Sequence, residues 1–138
     1  MEKSIAISRT LVAEDQRLSI TERLFSLHFP FKLEPTIYTI TENLTNDYRG
    51  GYWHFYTLNN GGFYMASGSD QTFHVICMNG FEGNLSGDTL GITACLYAYS
   101  HLSFSGSGFA QACGEQYHLL REFMLEHEEA RTILRAID

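Results

Sequence analysis

The chain has 138 residues, of which 44% are hydrophobic and 18% are charged, with only two prolines. This length and composition predict a single domain over residues 1–138 and argue against disordered, collagen-like and coiled-coil proteins. Nine Lys and Arg residues stand against 16 Asp and Glu residues, for a formal net charge of -7. Tight nucleic-acid binding through phosphate neutralisation is therefore not expected.

The chain shows no membrane or secretion signal. No apolar run is long enough to cross a bilayer, and residues 1–16 lack the apolar segment of a signal peptide. The three cysteines, Cys77, Cys95 and Cys113, form an odd set without a CxxC pair. These features predict a cytoplasmic protein that folds without disulfides.

Two helices are predicted before the middle of the chain. The segment from Glu14 to Phe25 has apolar residues at helical spacing and predicts an amphipathic helix that ends before Pro30. A second helix is predicted from Pro35, a residue that suits a first helical turn, to the glycine-containing stretch 47–51.

Three strands are predicted next, at Tyr52–Leu58, Phe63–Ser67 and Thr72–Met78, with turns at 59–62 and 68–71. An even-numbered first loop would place Leu58 opposite Phe63. That register predicts a core face made of Trp53, Phe55, Thr57, Tyr64, Ala66, Phe73, Val75 and Cys77. A slip of one residue would move whole strands to the other face.

The rest of the chain is predicted to be mostly helical. Asn79–Leu85 is expected to be a loop, and Ser86 is expected to cap a helix from Gly87 to Leu102 that is apolar on nearly all sides. A small-residue connector, Ser103–Gly108, leads to two further helical segments. The expected fold is α+β, with a three-stranded antiparallel meander sheet packed against several α-helices.

The cysteines and histidines suggest a metal site or a nucleophile, but their spacing favours neither. His74 and Cys77 would point to opposite faces of a strand, so no metal site and no cofactor are predicted. A Cys-His-Asp set can be drawn from Cys77, either His54 or His74, and Asp88. A small cytoplasmic hydrolase that uses Cys and His residues is therefore the alternative hypothesis, although no catalytic residue is assigned.

Two segments could contact a partner. The aromatic run at residues 48–56 is typical either of a core or of an interface. Its candidate contact residues are Tyr48, Arg49, Tyr52, His54 and Tyr56. The acidic run Glu122–Glu129 is predicted to be a solvated helix face, or else a rim for a basic partner.

The run from Asp47 to Tyr56, continued by Asn60 to Met65, resembles the signature of the ArdB/KlcA antirestriction family. Further matching segments are Gln16-Arg17-Leu18, Leu24-Phe25, Asn79-Gly80-Phe81, Gly83-Asn84-Leu85-Ser86, Gly91-Ile92, Tyr117-His118, Leu120-Arg121, Phe123 and Arg135-Ala136-Ile137-Asp138. The resemblance covers nearly the whole chain.

This resemblance implies a small α+β protein of plasmids and other mobile elements that protects incoming DNA from host type I restriction enzymes. The family is not known for enzymatic activity and has no established catalytic residues. The implied partner is the type I restriction-modification machinery or an associated host protein. Inhibition by contact, a hydrolase, and a protein that mimics or binds DNA are the three hypotheses, and charge density argues against the third.

Overall fold

The computed structural model describes residues 6–104 and 106–138. Short 3-10 and π-helical segments at Glu14–Gln16 and Phe29–Leu33 precede the second helix. The strands are β1 (Arg9–Leu11), β2 (Trp53–Leu58), β3 (Phe63–Ser67), β4 (Thr72–Ile76) and β5 (Glu82–Ser86), and the helices are α1 (Arg17–Phe25), α2 (Glu34–Leu44), α3 (Gly87–Leu102), α4 (Gly108–Met124) and α5 (Ala130–Ile137). The predicted α+β class is confirmed.

The strands form a three-stranded antiparallel sheet, in the order β1-β2-β3, and a separate antiparallel pair, β4-β5. The expected three-stranded sheet is present, but its third strand is β1 instead of Thr72–Met78. The prediction of a loop at Asn79–Leu85 was wrong, because this segment contains most of β5. The sequence does not predict β5 because it contains three weak strand formers, Glu82, Gly83 and Asn84. In the structure the ring of Phe81 covers Gly83, since a Cβ added to Gly83 would lie 2.9 Å from the Phe81 Cζ.

The predicted register of the first hairpin was wrong by one residue. Thr57 and not Leu58 pairs with Phe63, because the backbone of Leu58 pairs with Gly62 across a three-residue loop. Gly61 closes this loop with φ +95°, which glycine adopts without strain. Trp53 and Phe55 therefore lie on the core face as predicted, whereas Tyr64 and Ala66 lie on the opposite face.

Helix α3 runs along the open edge of β3. The helix begins at the predicted cap, Ser86, whose hydroxyl accepts a hydrogen bond from the Thr89 N–H. Every fourth helical residue then faces an outward carbonyl of β3. Tyr99 donates to the Phe63 carbonyl at 2.7 Å, Cys95 donates to the Met65 carbonyl, and Gly87 and Gly91 allow close approach to Ser67 and Met65. The helix thereby covers a strand edge that would otherwise be open to pairing.

Within the described ranges, no helix combines the length and the hydrophobicity that a transmembrane span requires. Within the same ranges, no group of three or more His, Cys, Asp or Glu side chains is arranged as metal ligands would be.

Candidate functional site

Tyr52, His54 and Tyr56 form a row of rings along β2 and the residue before it, and we call these three residues the aromatic row. Successive ring centroids are 5.3 Å and 6.2 Å apart. Strand alternation turns the intervening Trp53 and Phe55 into the core, where both are buried. Tyr52 is 50% exposed, and His54 and Tyr56 are half-buried. The row therefore presents aromatic rings with polar groups to solvent.

Two arginines flank the aromatic row. The Arg9 guanidinium lies 4.3 Å from the ring centroid of Tyr56, and that of Arg17 lies 4.9 Å from the centroid of Tyr52. Arg17 also donates hydrogen bonds to the Tyr52 hydroxyl and the Trp53 carbonyl. Neither arginine is among the residues predicted from the sequence to contact a partner, because only the pairing of β1 with β2 and the packing of α1 bring them next to β2.

The other two candidate contact residues, Tyr48 and Arg49, do not belong to this row. The Tyr48 hydroxyl accepts a hydrogen bond from Trp53 Nε1 at 3.1 Å, so its ring packs against the buried side of β2. Arg49 is exposed and donates to the backbone carbonyls of Asn46 and Tyr48. The structure thus brings together three of the five candidates.

A cluster of polar groups around Asp88 holds Arg9 in place beside the row. The Asp88 carboxylate accepts hydrogen bonds from Arg9 at 2.6 Å, from the Tyr64 hydroxyl at 2.8 Å and from His127 Nε2 at 2.9 Å. Burial alone would raise the pKa of Asp88, but the hydrogen bonds from His127 and Tyr64 and the charge of Arg9 lower it below its usual value. Burial is the main cause that raises the pKa of Tyr64, and the charge of Asp88 raises it further. The Tyr64 hydroxyl therefore stays protonated and donates its hydrogen bond to Asp88.

The acidic run near the C-terminus is divided between two environments. Helix α4 ends at Met124, so the prediction that Glu122–Glu129 is one solvated helix face was wrong. Glu126 and Glu128 are exposed, but the Glu129 carboxylate accepts hydrogen bonds from the hydroxyls of Ser86 and Thr89. Glu129 therefore stabilises the start of α3.

The cysteines are packing residues in this fold. All three are buried, and burial raises the pKa of Cys95 to about 12 and that of Cys113 to about 11. Burial also raises the pKa of Cys77, and the exposed His74 contacts Glu82 at 2.7 Å instead of a thiol. Across the described residues no cysteine is hydrogen-bonded to a histidine, so the hydrolase alternative is not supported.

Comparison with known proteins defines the family of this chain. The family model described as "Antirestriction protein" matches residues 46–138. The chain belongs to the antirestriction protein family. Two Escherichia coli antirestriction proteins named KlcA are 39% and 42% identical to it, over 96% of this chain and 95% and 94% of their own lengths. The resemblance seen in the sequence is thereby confirmed.

The fold of this antirestriction protein also matches a solved structure. That match has a TM-score of 0.90 and 37% identity, and it covers 100% of this chain and 99% of the other. The solved structure belongs to work on KlcA and ArdB. These two proteins are described as having a novel fold and as showing antirestriction activity against type I DNA restriction systems in vivo but not in vitro. An uncharacterized Escherichia coli K12 protein, YafX, is 36% identical over 94% of this chain and 86% of its own length.

Proposed function

We propose that this antirestriction protein relieves type I restriction of unmodified DNA that enters the cell. It does so by contact with the restriction machinery or with an associated host protein, and it does not cleave DNA. The observation that carries this proposal is the match over 100% of the chain, with a TM-score of 0.90, to the KlcA/ArdB fold. No enzymatic step is part of the proposal.

The behaviour described for KlcA and ArdB favours a target that exists in cells. Their activity against type I systems was found in vivo but not in vitro. An inhibitor that blocked the purified enzyme directly would act in both settings. The difference supports contact with a cellular form of the machinery, or with a host protein that the purified reaction lacks.

The arrangement of charge argues against DNA mimicry. A mimic needs carboxylates that are free to replace phosphates in a regular array. In this fold Asp88 is bound by Arg9, Glu129 by two hydroxyls, and Glu82 by His74. These three acids are bound by other side chains of the same molecule and are not free to replace phosphates, which supports contact with the partner through another surface.

We assign that contact to the aromatic row together with Arg9 and Arg17. Tyr and Arg are enriched at protein interfaces and among the residues whose truncation weakens binding most. The Asp88 cluster fixes Arg9, and the Tyr52 hydroxyl is held by Arg17 and Glu14. A surface whose side chains are already ordered loses less conformational entropy on binding. Tyr48 is assigned to packing on Trp53, and Arg49 extends the contact on its exposed loop.

The experiment that tests this function is the plating of unmodified phage on a host with a type I system and on the same host without it. Expression of the protein should raise plating efficiency on the restricting host only. Purified protein should leave unmodified DNA intact in a parallel digestion assay. Unchanged plating on the restricting host, or cleavage of DNA by the purified protein, would contradict the proposal.

A further inference from the structure

A groove on the side of the molecule formed by α2 and α3 has no role in the contact proposed above. Its volume is about 650 Å³, and none of the residues that line it belongs to the aromatic row. Most of its lining is apolar, including Ile40, Leu44, Ile76, Met78, Tyr97 and Leu102. Cavities of this size and character are typical of sites for small ligands.

Several large apolar side chains at this groove are exposed to water. Phe31 is 76% exposed, Ile76 is 59% exposed, and Met78 is fully exposed at 102%. All three line the same groove. Soluble proteins leave single apolar side chains exposed without consequence, but a contiguous exposed group marks a binding surface.

The charge at the groove is opposite in sign to the net charge of the protein as a whole. The chain has 16 acidic and nine basic residues, yet the lining contains Lys32 and His101 and no Asp or Glu. Lys32 lies just before α2, and His101 lies in the last turn of α3. An apolar surface with the Lys32 ammonium and the His101 imidazole complements a molecule that has an apolar body and one negative group.

We propose that this groove binds a small amphipathic carboxylate of the fatty-acid class. The apolar chain contacts Ile40, Ile76 and Met78, and the carboxylate lies near Lys32 and His101. The volume of the groove suits one small ligand and is too limited for a second folded domain to enter.

The test is a titration of the full chain with decanoate below its micelle concentration, followed by the methyl NMR signals of Ile40, Ile76 and Met78. We expect saturable binding with one decanoate per protein. Octanoate, which has two methylenes fewer, should bind about fifteenfold more weakly, since each buried methylene contributes about 0.8 kcal/mol. Decanol should bind more weakly than decanoate, and decyltrimethylammonium more weakly still.

Two pairs of variants separate the charge of the groove from its apolar area. Lys32→Gln should weaken decanoate binding about two- to fivefold, whereas Arg23→Gln, which removes the same charge from α1 outside the groove, should not. Met78→Glu should weaken decanoate binding more than Met78→Gln, because glutamine has nearly the same shape as glutamate but does not carry the negative charge that repels the carboxylate. Met78 is fully exposed, so both variants should fold.

Three results would overturn the proposal. The first is the absence of saturable shifts at these methyl groups. The second is equal affinity for decanoate, decanol and the ammonium compound, which would show that the charge of Lys32 plays no part in binding. The third is a dependence of the same signals on protein concentration without any probe, which would assign the groove to a second copy of the chain.

Discussion

A methyl group placed on Gly91 would lie 2.5 Å from the Cβ of Ala66 and 2.5 Å from the Met65 carbonyl oxygen. At Gly91, helix α3 and strand β3 are therefore in backbone contact, with no room for a side chain between them. Further along the same edge, the side chains of Cys95 and Tyr99 bridge the helix and the strand with hydrogen bonds. The contact fixes the start of α3, and with it Asp88, relative to the sheet.

Gly91→Ala should destabilise the protein even though alanine favours helix formation. The neighbours of the new methyl group are mainly backbone atoms, so the helix or the strand must move, at a cost of about 1–3 kcal/mol. Gly114→Ala in α4 is the matched control, since its nearest neighbour would be the Ser103 Cβ at 3.8 Å. That variant should gain up to about 1 kcal/mol. Urea unfolding of both variants checks this, and a change of the same sign in both would contradict the packing described.

Asp88→Asn should destabilise the protein in a pH-dependent way. The folded-state pKa of Asp88 lies below its usual value of 3.8. The contribution of the carboxylate to the free energy of unfolding is therefore complete above pH 3.8 and is lost as the pH falls through the folded-state pKa. Near neutral pH the variant should be less stable by about 1.5–3 kcal/mol, the usual range for hydrogen bonds to a charged group.

The measurement for Asp88 is urea unfolding of both proteins from neutral to acid pH. The difference in free energy of unfolding should widen as the pH falls and His127 becomes protonated, because the hydrogen bond to Asp88 raises the pKa of His127. It should then narrow below pH 3.8. Asp70→Asn, at an exposed turn, serves as the control and should change stability by less than about 0.5 kcal/mol. A difference for Asp88→Asn that persists unchanged into acid would show that the carboxylate is not held as described.

Trp53→Ala should cost about 3–5 kcal/mol of stability, as the truncation of large aromatic residues in cores does. Trp53 is 3% exposed and packs edge-on against Tyr38 and Tyr48. The neighbouring Tyr52→Ala, at a half-exposed ring, should cost about 1 kcal/mol or less. Thermal and urea unfolding compare the two. Near-native stability of Trp53→Ala, with loss of protection in cells, would make Trp53 a contact residue instead.

Neutralising two of the exposed acids of the C-terminal run should leave function intact. Glu126→Gln with Glu128→Gln should retain stability and phage protection, since exposed carboxylates contribute little. Glu129→Gln alone should destabilise the protein by about 1–3 kcal/mol, because its carboxylate accepts from two hydroxyls at the start of α3. Loss of protection in the folded double variant would support DNA mimicry.

Local patterns in the sequence predicted most of the helices. Helix α3 and its cap at Ser86 were found because the capping residue and the apolar run agree. The sheet was harder, because strand pairing depends on contacts between distant segments. The three-residue arm β1 pairs with β2 across about fifty positions of sequence, and β5 has one buried residue out of five. Neither carries a periodicity that identifies a strand.

The candidate site was predicted in part for the same reason. Tyr52, His54 and Tyr56 share a face because side chains alternate along a strand, which the sequence shows directly. The observed register of the first hairpin differs from the predicted one by one residue, and this changes the neighbours of the aromatic row. Tyr56 stacks on Tyr64, with the two ring centroids 5.0 Å apart. Arg9, Arg17 and the Asp88 cluster come from other parts of the chain, and only the folded structure brings them to the row.

Contact through the aromatic row is tested by plating efficiency on a type I restricting host with three versions of the protein. The wild type should protect unmodified phage. Tyr52→Ala with His54→Ala, shown to be folded by its unfolding curve, should fall to the level of a host without the protein. Gln111→Ala with Glu115→Ala, on the exposed face of α4, should protect like the wild type. Full protection by the folded aromatic-row variant, or no protection by the wild type, would contradict the account.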